Sequence, residues 1–134
     1  MNTDYKDAKY RELTETIIGI FYKVYKNLGY GFLEKVYENA MMLELNELGL
    51  HCEKQKPISV FYKSLNVGEY FVDIIVDDKV IIELKAASGL LEEHEAQLLN
   101  YLKATEIEIG LLLNFGKKPQ LKRQIFENKY KKSV

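Results

Sequence analysis

The sequence has little of what stabilises small secreted domains or builds zinc sites. Its 134 residues include one cysteine, Cys52, and only two histidines, His51 and His94. A single cysteine forms no internal disulfide, and these three residues fall short of the ligand set of a structural zinc site. A disulfide scaffold is therefore excluded, and the composition argues against zinc.

Long apolar stretches are also missing. No apolar run approaches the roughly 20 residues that span a bilayer, and residues 1–11 are polar and charged, unlike a signal peptide. We therefore expect no membrane partner and a cytoplasmic location.

Neither sign of charge dominates the chain. The 19 basic and 20 acidic residues leave a formal net charge of -1, which argues against a protein that coats nucleic acid by bulk electrostatics. Positive charge is concentrated in residues 117–134, where Glu127 is the single acid. This basic C-terminal segment is interpreted as a solvated tail or as a phosphate-contacting patch, with a slight preference for the tail.

The remaining composition is that of one folded domain. Hydrophobic residues make up 47% and charged residues 29%, and no repeat, linker or low-complexity segment interrupts the chain. We expect a single domain over residues 1–134, with its core at about 13–115.

The periodicity of apolar residues predicts helices and strands in a defined order. The predicted elements are helices at 13–28 and 33–48, strands at 51–62, 67–76 and 80–86, a helix at 90–104 and a buried strand at 107–114. Pro57 indicates that the first strand is irregular or at an edge. The segment after Pro119 is ambiguous between helix and strand. The order α-α-β-β-β-α-β predicts an α/β fold with a mixed sheet flanked by helices.

The second and third strands form a hairpin whose register follows from parity. Their even positions are apolar, namely Val72, Ile74, Val76, Val80, Ile82 and Leu84. Because side chains alternate along a strand, all share one face only if even positions pair with even positions. Pairing Val76 with Val80 satisfies this condition. It leaves a three-residue loop at 77–79, usually with one left-handed residue, and sets Asp73 opposite Glu83.

Asp73 and Glu83 form an unusual pair, because like charges opposed across strands are destabilising unless something neutralises them. A bound cation would do so, and so would Lys85, which lies two residues beyond Glu83 on the same face. Spacing alone leaves the metal site and the structural triad equally weighted. Phe71, Ile75 and Ile81 on that face would shield the charges, and unpaired shielded charge is costly, which favours a functional role modestly.

Glu34 is a second carboxylate in an unexpected place. It occupies a helical stripe that is otherwise apolar, with Tyr37, Met41, Leu45 and Leu48. Stabilisation by the helix N-terminal dipole explains Glu34 on its own; a functional role is the alternative.

Three segments together resemble the GxxExxY proteins, a family assigned to the PD-(D/E)XK nuclease superfamily. Gly31-Phe32-Leu33-Glu34-Lys35-Val36-Tyr37 matches the pattern that names the family. Val72-Asp73 followed by Ile82-Glu83-Leu84-Lys85-Ala86 resembles the superfamily motif, and residues 94–102 resemble a helix of the family. The likeness runs from about 13 to 115. It departs where Val72 replaces a literal proline and where Tyr25 and Tyr30 stand in place of the frequent histidine and proline.

The resemblance implies a restriction-endonuclease-like core and a metal-dependent nuclease acting on DNA or RNA. Asp73 and Glu83 would ligate Mg²⁺ or Mn²⁺, with the Leu84 carbonyl as a further ligand. Lys85 would position the attacking water and stabilise charge on the phosphate.

Two more residues receive roles through the same resemblance. Glu34 would reach the site from the second helix, directly or through a water. Gln97 would orient Lys85 or the attacking water from the third helix.

Two other functions compete with hydrolysis. A nuclease fold without turnover would act as a nucleic-acid-binding or regulatory module, with phosphate contact left to the basic C-terminal segment. The ten tyrosines suggest an interaction protein that forms a homodimer or docks a partner.

Overall fold

The computed structural model describes the backbone of residues 3–131 and the side chains of residues 10–131. Its elements, in chain order, are α1 (Thr3–Leu28), α2 (Glu34–Glu47), β1 (Cys52–Tyr62), β2 (Leu65–Val76), β3 (Val80–Lys85), α3 (Glu92–Lys103), β4 (Ile109–Phe115) and β5 (Pro119–Ile125). The predicted order is confirmed, and the ambiguous segment after Pro119 is a strand. None of the described helices combines the length and apolarity needed to cross a membrane.

The strands form one mixed sheet in the order β1-β2-β3-β4-β5. Only β3 and β4 are parallel, and α3 makes the crossover connection that parallel neighbours require. β1 is an edge strand, which agrees with Pro57 inside it, because proline cannot donate a ladder hydrogen bond.

The basic C-terminal segment begins as part of this sheet. β5 pairs antiparallel with β4 along its whole length, so residues 119–125 are an edge strand rather than a tail. Lys117, Lys118 and Lys122 are exposed on it or just before it. Lys132, the last basic residue of the segment, lies outside the described residues.

The sheet buries a hydrophobic core on each face. α1 and α2 cover one face, which we call the two-helix core, and its buried residues include Phe21, Tyr37, Met41, Ile74, Ile82 and Leu111. α3 covers the other face, the one-helix core, with Ile75, Ile81, Leu98, Leu102 and Leu112. Strands covered on both faces are apolar at nearly every position, as β4 is.

The expected single apolar face of the hairpin is correct for all even positions except Val72. The other even positions lie in the two-helix core, whereas Val72 lies in the one-helix core beside Ile75. Side-chain alternation therefore reverses across Asp73. There the β1–β2 pairing is interrupted opposite Gln55, whose φ of 53° is left-handed. The face expected to hold shielded charges is likewise a true core at Ile75 and Ile81.

The predicted register at the turn is confirmed, since Val76 pairs with Val80. The loop holds two left-handed residues rather than the expected one, Asp77 and Asp78, with φ of 51° and 54°. Asp77 is tied to His51: its N–H donates to the His51 carbonyl at 2.7 Å, and its Oδ1 accepts from the His51 N–H at 3.0 Å. These bonds help to hold the strained turn against the start of β1.

Candidate active site at the open end of the β2–β3 hairpin

Asp73 and Glu83 meet where backbone pairing of β2 with β3 stops. The backbone ladder runs from Val76 and Val80 to Ile74 and Ile82. At the next step, Glu83 Oε2 accepts a hydrogen bond from the Asp73 N–H at 2.8 Å, and Asp73 Oδ2 accepts one from the Leu84 N–H at 2.8 Å. Each carboxylate thus takes the place of a backbone carbonyl, and the strands separate.

These hydrogen bonds use one oxygen of each carboxylate. The second oxygen of Asp73, Oδ1, lies 3.3 Å from the side-chain nitrogen of Gln55. Glu83 Oε1 is outside the bonds that join the strands. The pair therefore keeps an oxygen on each residue that can bind a cation.

The electrostatic environment opposes two negative charges here. Glu83 is only 4% exposed, and burial, followed by the charge of Asp73, raises its pKa to about 8. Burial also raises the pKa of Asp73, although the hydrogen bond from Leu84 acts in the opposite direction. A cation between the carboxylates would remove this cost, because it favours the charged form of both.

Lys85 ends β3 two residues after Glu83, and its positive charge lowers the pKa of Glu83 without overcoming burial. Its neighbour on β4 is Asn114, which is fully buried. Asn114 accepts from the Ala87 N–H at 2.9 Å and donates to the Ala87 carbonyl at 3.0 Å. A Cβ at Gly116 would lie 2.5 Å from that same carbonyl oxygen. Asn114 and Gly116 thus hold the chain just after Lys85.

Glu34 is the first residue of α2, and Tyr37 explains how the preceding loop places it. The Tyr37 hydroxyl donates to the Gly29 carbonyl at 2.8 Å and accepts from the Phe32 N–H at 3.2 Å. The ring is fully buried and stacks on Phe115 with centroids 4.1 Å apart. Glu34 itself is exposed, and its charge raises the pKa of the Asp73 and Glu83 carboxyls.

Glu38 is a site residue that the sequence analysis missed. It lies one helical turn after Glu34 and is only 4% exposed. Its Oε1 accepts from the Gln55 side-chain nitrogen at 2.7 Å, and Lys35 lies 3.4 Å from its Oε2. The same Gln55 nitrogen reaches Asp73, so Glu38 and Gln55 link α2 to the carboxylate pair. The spacing of four residues from Glu34 was the available signal for Glu38.

Two residues of α3 lie near one another: Gln97, a predicted site residue, and Tyr101, which was not predicted. Tyr101 is buried, and burial together with the charges of Glu83 and Asp73 raises its pKa to about 12. Gln97 lies one turn earlier, and both residues line a groove between α3 and the outer parts of β1 and β2. Within the described part of the chain, no hydrogen bond joins Gln97 to Lys85 or to either carboxylate.

The donor set suits a hard cation that keeps part of its water shell. Carboxylate oxygens of Asp73 and Glu83 and the Leu84 carbonyl are the ligands that Mg²⁺ and Mn²⁺ prefer, and Mg²⁺ is usually held through only one or two carboxylates. Residues 10–131 contain no group of three or more histidine, cysteine, aspartate or glutamate side chains placed to hold a metal ion. Water would therefore complete the coordination.

A family model of the PD-(D/E)XK nuclease superfamily matches residues 11–125. Since this match spans most of the sequence, the chain belongs to the PD-(D/E)XK nuclease superfamily. No curated protein sequence matches the chain.

Two solved structures are similar in fold. The crystal structure of SSO0001 is 15% identical, with a TM-score of 0.54 over 90% of this chain and 59% of that one. An alkaline exonuclease from Laribacter hongkongensis, LHK-Exo, is 12% identical, with a TM-score of 0.52 over 71% of this chain and 57% of that one. This chain spans less than two thirds of either protein. The likeness confirms the predicted α/β, restriction-endonuclease-like fold.

Proposed function

We propose that the protein is a nuclease that hydrolyses phosphodiester bonds with the help of Mg²⁺ or Mn²⁺. The observation that carries this proposal is the pairing of Asp73 and Glu83, each with one oxygen outside the bonds that join β2 to β3. Lys85 follows on the same strand, which adds a positive charge beside the carboxylates. Superfamily membership supports the same chemistry.

Each residue has a distinct part in the proposed reaction. Asp73, Glu83 and the Leu84 carbonyl would hold the cation, which when bound polarises the scissile phosphate as a Lewis acid. Lys85 donates hydrogen bonds to the attacking water and to the phosphate oxygen that gains charge. The water oxygen bonds to phosphorus as the ester bond to the leaving oxygen breaks, and the water loses a proton while the leaving oxygen gains one.

Glu34 is proposed to act from α2 through a water molecule. Tyr37 fixes the loop that precedes this glutamate, which gives a physical reason for the spacing of Gly31, Glu34 and Tyr37. This arrangement supports placing the chain in the GxxExxY branch of the superfamily.

The test is cleavage of single-stranded and duplex DNA and RNA with Mg²⁺, with Mn²⁺ and with EDTA. We expect cleavage that requires the cation, that Asp73→Asn abolishes and that Lys85→Ala slows by about 10²–10³-fold. Matched controls come from the turn of the same hairpin, where Asp78→Asn and Lys79→Ala change exposed residues and should leave cleavage intact. Absence of cleavage with both cations on all substrates would overturn the proposal.

A nucleic-acid-binding protein without turnover is the second candidate. It is favoured by the exposed lysines on β5 and just before it. Exposed Lys117, Lys118 and Lys122 would then contact phosphates from the β5 side. Binding that weakens steeply with salt, without cleavage under any of the conditions above, would favour this candidate.

A further inference from the structure

A large groove lies between α3 and an arm formed by the outer parts of β1 and β2. The arm comprises residues 59–70 and turns at Lys63 and Ser64, which both have positive φ. The groove has a volume of about 930 Å³ and includes Phe61 and Tyr70 from the arm and Gln97, Asn100 and Tyr101 from α3. This volume lies within the range of about 300–1,000 Å³ that is typical of ligand pockets.

Aromatic rings dominate the side of the groove that the arm provides. Tyr70 is 50% exposed, although its ring lies only 5.9 Å from the buried ring of Tyr101, measured between centroids. Phe61 is also exposed. Nucleobases stack on such rings, and each stacked base is worth about 1–3 kcal/mol in single-strand binding.

The charge of the groove favours bases over phosphates. Lys103 and Lys131 are balanced by Glu93 and Glu106, and Lys131 is already bonded to the Thr105 and Ile107 carbonyls at 2.8 Å. The groove thus lacks the positive surface that holds a phosphate chain. The amide groups of Gln97 and Asn100 carry both donors and acceptors, as the edges of unpaired bases do.

Tyr101 connects the groove to the candidate active site. Tyr101 lines the groove and lies against the ring of Tyr70, which precedes Asp73 by three residues on β2. Tyr101 also packs in the one-helix core with Val72, the residue before Asp73. A nucleic-acid strand with one phosphate at the carboxylate pair would therefore have its adjoining bases at the entrance to the groove. Bases held in a duplex could not enter, since their faces are stacked on one another.

We propose that this groove binds the unpaired bases of a single strand, with stacking on Tyr70 and Phe61, so that the substrate is single-stranded nucleic acid. The placement of the strand rests on the proposed nuclease function, whereas base binding does not require hydrolysis. The proposed occupant of the groove is a nucleic-acid strand. The alternative occupant is a second copy of the chain, which the experiment below would reveal as a dimer.

The experiment measures binding of fluorescently labelled oligothymidylate by anisotropy in EDTA, where no cleavage occurs. An oligomer of equal length without bases keeps the phosphates and removes stacking. Tyr70→Ala is matched by Tyr62→Ala, because Tyr62 is 64% exposed on the same arm but does not line the groove. Tyr70→Phe keeps the ring and guards against a mere folding defect.

We expect Tyr70→Ala to weaken oligothymidylate binding by about 5- to 150-fold, the equivalent of about 1–3 kcal/mol. Tyr62→Ala and Tyr70→Phe should stay near the unmodified protein, and the abasic oligomer and blunt duplex should bind weakly. Equal binding of the abasic oligomer, or equal effects of the two alanine variants, would overturn the proposal. So would a concentration-dependent dimer that Tyr70→Ala dissociates, because a second copy would then fill the groove.

Cleavage assays separate this proposal from the nuclease proposal. Tyr70-dependent binding without cleavage by the unmodified protein would support the groove and overturn the nuclease. Lys85-dependent cleavage, together with binding that Tyr70→Ala does not weaken, would support the nuclease and overturn the groove proposal.

Discussion

The two ends of the β2–β3 hairpin are built on different principles. At the turn, Val76, Val80, Ile74 and Ile82 pair through the backbone and bury apolar side chains. At the open end, the side chains of Asp73 and Glu83 replace the backbone ladder, with the Glu83 carboxylate buried and that of Asp73 half-buried. The comparison teaches that apolar pairing stabilises the closed end, whereas the open end holds charged groups that a folded core would not otherwise include.

The largest expected effect on folding comes from the closed end. Ile82→Ala should lower the free energy of unfolding by about 2–5 kcal/mol, because Ile82 is fully buried and its truncation leaves a cavity. Urea denaturation measures this change. Val67→Ala, on the exposed arm, is the control and should shift stability by no more than about 0.5 kcal/mol. Similar losses in the two variants would contradict the assignment of stability to the closed end.

Lys85→Ala should act on turnover rather than on folding. Loss of a donor to the developing phosphate charge is expected to lower kcat by about 10²–10³-fold, while the free energy of unfolding changes by less than about 1 kcal/mol. Single-turnover cleavage gives the rate, and urea denaturation of the same preparation gives the free energy of unfolding. A loss of activity that merely follows the loss of folded protein would remove Lys85 from the reaction.

Without divalent cations, the free energy of unfolding should fall as pH rises, because the carboxyls of Glu83 and Asp73 at the open end lose their protons. Folding raises the pKa of Glu83 from 4.5 to about 8, so between these values the folded chain binds more protons than the unfolded chain. Unfolding is then easier at higher pH, with a slope of at most about 1.4 kcal/mol per pH unit, and the loss ends above pH 8. The raised pKa of Asp73 acts in the same direction.

Glu83→Gln is the variant that checks this pH dependence, because it cannot ionise. Its unfolding free energy in EDTA should vary less between pH 5 and 8 than that of the unmodified protein. Added Mg²⁺ should stabilise the unmodified protein most at the alkaline end, where the carboxylates are charged, and should have little effect on the variant. Parallel pH curves for both proteins would show that Glu83 is not the group responsible.

The smallest expected effect concerns the link from Glu38 to Asp73. Gln55→Ala should cost about 0.5–2 kcal/mol, since it removes the hydrogen bond to a buried carboxylate. Gln55→Gly loses the same bond but relieves the left-handed φ of 53°, so it should be the less destabilising of the two. Comparing the unfolding free energies of the two variants separates the lost hydrogen bond from the backbone strain. If Gln55→Gly is the less stable variant, the backbone at Gln55 is not strained.

Much of this hairpin could be predicted from alternation alone. The pairing of Val76 with Val80 follows from apolar parity, and this pairing sets Asp73 beside Glu83, as in the structure. Val72 faces the other side of the sheet because side chains alternate regularly only where the strand stays paired, and the β1–β2 pairing is interrupted at Asp73. The left-handed Gln55 that interrupts it has no marker in the local sequence.

Local patterns in the chain thus account for the helices, the strands, the register at the turn and the residues of the Glu83-Leu84-Lys85 segment, because these depend on neighbours a few positions apart. Glu38, Gln55 and Tyr101 join the site only through packing, since they come from two helices and an edge strand that are far apart in the chain. The raised pKa of Glu83 is also tertiary, because burial is its largest cause. The sequence around Glu83 does not reveal how deeply its carboxylate is buried, because that burial depends on which helices and strands pack over the sheet.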